Sequence, residues 1–142
     1  MSKNKLAAII IICTIAIVAA IVVPKLIDGT GISCDHKTFP TNAIKWDEAK
    51  DHIGERTTVC GPVVDATWAS GSNGKPTFLN LGKPYPDTDR FTVVIWIQNR
   101  SNFPQAPEDY YLGKTICVTG LITEYEGIPE IEVEYPSEIQ DP

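Results

Sequence analysis

Two aromatic residues, Phe78 and Trp96, stand among four bases, Lys75, Lys83, Arg90 and Arg100, in one stretch of the chain. That combination is what single-stranded nucleic acid requires. Bases stack on aromatic faces at about 1–3 kcal/mol each while cations track the phosphates. Tyr85 lies between them as a further stacking residue. A Trp96→Ala substitution is expected to abolish such binding without unfolding the domain. The same residues admit a purely structural role, in which Phe78 and Trp96 pack beneath the Asn99–Leu112 connection and the bases are solvated.

Other reactive residue types give weaker patterns. Glu130, Glu132 and Glu134 line one face of an extended segment, with Glu124 and Glu126 just before it. They read as a solvated, aggregation-resistant edge, or as a site for a cation or basic protein. His36 and His52 are the two histidines, and neither has a Ser or Cys placed for a catalytic triad. Four cysteines are present, at positions 13, 34, 60 and 117, without CxxC or Cys/His spacing, so no metal and no cofactor is expected. No catalytic apparatus is legible, and the chain reads as a binding module rather than an enzyme.

The elements that must position these residues follow from periodicity. Ile44 to Ile53 reads as a short amphipathic helix with Trp46, Ala49 and Ile53 on one face, closed by Gly54. The period then becomes two. Strands are expected over Thr57–Trp68, Thr77–Leu81, Phe91–Ile97, Thr115–Ile122 and Glu130–Tyr135, and one helical turn over Glu108–Leu112. Gly61-Pro62 suggests a bulge, bend or edge inside the first strand and leaves its phase open beyond that point, so Asp65 and Trp68 are not placed. The expected core is Val59, Val63 or Val64, Leu79, Leu81, Val93, Ile95, Ile116, Val118, Ile131 and Val133. A long, bent first strand and a long connection after the third match an all-β, five-stranded Greek-key barrel. Cys60 and Cys117 fall on the first and fourth strands, turned away from the core residues beside them. They read either as a cross-strand disulfide or as two buried thiols.

His52-Ile53-Gly54-Glu55, Thr58-Val59-Cys60-Gly61, Phe78 through Pro86, Leu112-Gly113-Lys114 and Val118-Thr119-Gly120 resemble a bacterial and archaeal OB-fold family, across roughly Ile44 to Ile139. Such domains occur alone behind a membrane anchor and are similar to modules attached to extracellular nucleases. The resemblance implies an OB-type barrel, usually described as nucleic-acid binding. Extracellular nucleases on a related barrel use a calcium-binding acid cluster with two arginines, and no such cluster surrounds Arg56, Arg90 or Arg100.

The N-terminal region is of a different kind. Leu6 to Val23 is an uncharged run of 18 residues, about the length that spans a bilayer as a helix. Lys3 and Lys5 precede it, while Lys25 is soon balanced by Asp28. An uncleaved single-pass anchor with a cytoplasmic N-terminus and an extracytoplasmic domain is therefore expected. The organisation reads as anchor 1–24, linker 25–43, barrel 44–139 and tail 140–142. The formal charge is −6, and it falls to −8 without residues 1–30. An acidic domain opposes non-specific phosphate binding. A second reading is accordingly an extracytoplasmic module for a cell-surface protein or glycan, with no role toward nucleic acid.

Overall fold

The computed structural model describes residues 39–142. The membrane-anchor run, Cys13, Cys34, His36 and most of the linker lie outside the described residues. Among the described residues no helix is long and apolar enough to cross a membrane.

The domain is mostly β. In chain order the strands are β1 (Ala43–Lys45), β2 (Arg56–Trp68), β3 (Thr77–Leu81), β4 (Phe91–Ile95), β5 (Thr115–Leu121), β6 (Thr123–Tyr125), β7 (Ile128–Glu132) and β8 (Ile139–Gln140). A 3₁₀ helix, Trp46–His52, and two short α-helices, α1 (Ile97–Arg100) and α2 (Pro107–Tyr111), join them.

The long strand β2 organises the rest. Its first half pairs antiparallel with β5, and its second half pairs antiparallel with β3. Strand β3 pairs with β4, β4 lies parallel to β7, and β7 pairs with β6. Ile122 alone separates β5 from β6. Its N–H donates to the Glu55 carbonyl, and its own carbonyl accepts from Gly54. The pairings therefore run from β2 through β3, β4, β7 and β6 and return along the chain to β5 and β2. One face of β2, β3, β4, β5 and β7 points inward, whereas all three residues of β6 are exposed. Val59, Val63, Leu79, Leu81, Phe91, Val93, Ile95, Ile116, Val118, Ile131 and Val133 fill that interior.

Several elements differ from the sequence expectation. Residues 43–45 form a parallel strand against Thr58–Cys60 instead of beginning a helix, which gives their backbone groups partners and lays Ile44 against the core. The turn that follows is 3₁₀, and Glu48 closes its start by accepting the Lys45 N–H at 2.8 Å. The third expected strand stops at Ile95 because its partner begins at Thr77, and Pro76 before it has no N–H to extend the ladder. Ile97 consequently starts α1. Gly61 and Pro62 pair regularly with Ile116 and Thr115, whereas the register shifts between Val63 and Asp65. Val64 is thus bulged out, 44% exposed, and Val63 is the core residue. The last long strand is Ile128–Glu132, not Glu130–Tyr135. Beyond Val133 the ladder gives way to a turn in which the Glu138 carboxylate accepts the N–H groups of Glu134 and Tyr135, both at 2.8 Å.

Cys60 and Cys117 are direct cross-strand partners on β2 and β5, with Cα atoms 4.1 Å apart, and their sulfurs are bonded. Both are buried.

Candidate nucleic-acid interface

Strand alternation fixes what the outer face of β2–β3–β4–β7 presents. Register places Thr67, Phe78, Val94 and Glu132 in one transverse row and Asp65, Asn80, Thr92 and Glu130 in the next. The second row is hydrogen-bonded across strands. Asn80 Nδ2 donates to Asp65 Oδ2 at 2.7 Å, and Thr92 Oγ1 donates to Asn80 Oδ1 at 3.0 Å. The Tyr85 N–H also donates to Asp65 Oδ2, at 3.1 Å. Asn80 is only 3% exposed, so its amide serves this network and not a ligand. At the other margin, partial burial holds the Glu130 carboxyl above the usual carboxylate range, and the Glu132 charge adds to this. The middle of the face is thus neutral with an acid at each side, a poor seat for phosphate. Of the aromatic and basic residues singled out from sequence, only Phe78 stands on it, half-buried between Thr67 and Val94.

The other candidates divide between the two ends of the β3–β4 hairpin, about 13 Å apart along the strands at 3.3 Å per residue. At one end, the Trp96 ring lies against the turn before β3. A Cβ on Gly74, whose φ is +75°, would stand 2.8 Å from Trp96 Cζ3. Trp68 Nε1 donates to the Lys75 carbonyl at 3.3 Å. The Arg100 guanidinium stacks 4.3 Å from the Trp68 ring. Both of its terminal nitrogens are engaged. Nη1 and Nη2 reach the two Glu108 oxygens at 2.7 Å each, and Nη1 also donates to Thr77 Oγ1 at 2.6 Å. The pair stabilises both charges. Hydrogen bonding to Arg100 holds Glu108 below the usual carboxylate range, and the bond to Glu108 holds Arg100 above its ordinary value. Arg100 therefore fixes α1 to α2, and its charge is already met. Lys75 remains exposed.

At the opposite end, the loop of residues 82–90 carries Lys83, Tyr85 and Arg90. Tyr85 is 71% exposed. Its peptide bond to Pro86 is cis. The Arg90 guanidinium lies 5.3 Å from its ring. Arg90 Nη1 donates to the Asp87 carbonyl at 2.6 Å, and Nε is enclosed without an acceptor. Neither Lys83 nor Arg90 forms an ion pair among the described residues. Beside this loop is a cleft shared with the 3₁₀ helix, walled by Trp46 and Lys50. The helical spacing puts Trp46 on a helix face, and the open phase of the first strand leaves Trp68 unplaced. The available signal for Trp46 was the pair of glycines, 61 and 82, whose missing side chains make room for its indole. Nothing local announces the stack of Arg100 on Trp68.

His52 Nδ1 bonds Glu55 at 2.8 Å on the surface. Among the described residues, no group of three or more His, Cys, Asp or Glu side chains converges as a metal site.

No protein-family model and no curated protein matches the chain. Solved structures do resemble it. Asparaginyl-tRNA synthetase from Pyrococcus horikoshii is 16% identical with a TM-score of 0.45, covering 68% of this chain and 22% of that one. Aspartyl-tRNA synthetase from Entamoeba histolytica is 14% identical with a TM-score of 0.44, covering 70% and 22%. A Klebsiella pneumoniae lipoprotein assigned to nucleic-acid binding is 20% identical with a TM-score of 0.42, covering 61% and 73%. The chain thus spans about a fifth of each synthetase.

Proposed function

We propose that residues 44–139 are an OB-type barrel acting as a non-catalytic binding module for single-stranded nucleic acid or oligonucleotides. The run of pairings from one long shared strand through β3, β4 and β7 to β6, which the chain joins back to β5 through Ile122 alone, supports the barrel type. One observation carries the ligand: Tyr85 projects from the 82–90 loop with Arg90 against its ring and Lys83 two residues away, neither cation spent on a carboxylate. Tyr85 offers a stacking face, and the two cations meet phosphates. The domain is held outside the cytoplasmic membrane by the Leu6–Val23 run as a single-pass anchor. The buried Cys60–Cys117 disulfide supports that location, since such bonds persist in oxidising compartments.

A cell-surface protein or glycan partner is the second reading. It is favoured by the acids at both margins of the sheet face, Asp65 and Glu130, and by the domain's net negative charge. Fluorescence anisotropy of a labelled single-stranded oligonucleotide, titrated at low and moderate salt, separates the two. Affinity that weakens with salt supports nucleic-acid binding. No binding at either salt rejects it in favour of the second reading.

A further inference from the structure

The cleft beside the 82–90 loop has a composition unlike the rest of this acidic domain. Trp46 forms one wall. Lys50 from the 3₁₀ helix, and Lys83 and Arg90 from the loop, supply three cations, and Asp47 and Asp89 supply two carboxylates. None of the five charges lies within ion-pairing distance of another, so the cations keep their charge for an incoming group. Arg90 in particular makes one hydrogen bond, to a backbone carbonyl, and its Nε–H meets no acceptor.

The cleft holds about 290 Å³, at the lower edge of small-ligand sites. It suits a compact group rather than an extended strand. A phosphodiester within a strand carries one negative charge. A phosphomonoester carries nearly two at neutral pH and offers more oxygens to a cation cluster. The three cations exceed the two acids by one, so the cleft attracts an anion; its small volume selects a terminal phosphate over one within a strand, and the fork of an arginine suits a phosphate's geometry.

We infer that this cleft binds a phosphomonoester, with Lys50, Lys83 and Arg90 around the phosphate and the Trp46 ring beside the group that carries it. Resting on the nucleic-acid reading, the source is the terminal phosphate of an oligonucleotide. A free mononucleotide presents the same chemistry.

The test uses the domain with its disulfide intact. Inorganic phosphate and then adenosine monophosphate are titrated while the Trp46 indole N–H is followed by NMR. A saturable shift that is lost in Lys50→Ala and Lys83→Ala, but kept in Arg56→Ala, is the expected result. Absence of a saturable shift with both ligands overturns the proposal. So does a shift that survives both lysine substitutions. In parallel, oligonucleotides with a terminal phosphate are compared with the same sequences ending in hydroxyl. An advantage of about tenfold for the phosphorylated end, the scale of one charge-assisted hydrogen bond, assigns the source to the strand terminus. A mononucleotide shift without any oligonucleotide binding upholds the cleft while rejecting the nucleic-acid reading.

Discussion

The indole of Trp46 occupies the space that a side chain on Gly82 would need. Gly82 also sits at φ +75°, where an L side chain is strained. Trp46 thereby ties the 3₁₀ helix to the start of the 82–90 loop, and the loop's cations take their position from that contact. Gly82→Ala should cost about 2–4 kcal/mol, combining left-handed backbone strain with overpacking. Thermal unfolding would measure it. Stability equal to the parent would show that the indole does not fix the loop.

The Cys60–Cys117 bond closes a segment of 57 residues of sequence separation between β2 and β5. A loop of that length gives about 4 kcal/mol by restriction of the unfolded chain. The Cys60→Ala/Cys117→Ala double variant should lose about 2–4 kcal/mol in urea unfolding. The parent should lose a similar amount on reduction. Indifference to reductant would contradict a structural role for the bond.

Arg100 and Glu108 give a signed pH dependence. Glu108 ionises below the usual carboxylate range in the folded state, because Arg100 bonds its charged form. Its contribution is therefore present above the unfolded carboxylate pKa and is lost as pH falls through the lower, folded value. Glu108→Gln should destabilise by about 1–3 kcal/mol at neutral pH. The difference should shrink as the solution is acidified past the carboxylate range. A gap independent of pH would assign the loss to packing alone.

Glu130 has the opposite sign. Its carboxyl is raised by burial and by Glu132, so ionisation is unfavourable in the folded state. The resulting penalty is absent below the unfolded pKa and grows as pH rises through the folded one. Glu130→Gln should raise the melting temperature modestly at neutral pH, with the gain fading in acid. A lower melting temperature at neutral pH would mean that the charged carboxylate has a stabilising partner.

The core was legible because the inward positions follow the two-residue alternation from Val59 to Val63 on β2 and again on β3, β4 and β5, the bulge at Val64 being the break. The ends of elements were less so. Ile97 continues the apolar pattern of β4, yet the ladder ends where the partner strand ends, a nonlocal fact. The bulge fell at Val64 and not at Gly61, because the glycine's reason lies in Trp46, fifteen positions earlier, and not in its own strand. The candidate bases were legible as charges but not as free charges. Arg100 meets Glu108 through a helix-to-helix contact, whereas Arg90 meets only a carbonyl and a tyrosine ring. Sequence proximity grouped the candidates, and the hairpin separates them to its two ends.

The central claim is that single-stranded nucleic acid binds at the 82–90 loop. It is tested most directly by anisotropy of a labelled oligonucleotide with the parent domain and with Tyr85→Ala. The account predicts salt-sensitive binding to the parent and a loss of about tenfold in the variant, the scale of one stacked base. Parental affinity in Tyr85→Ala, or no binding to the parent at low salt, would contradict it.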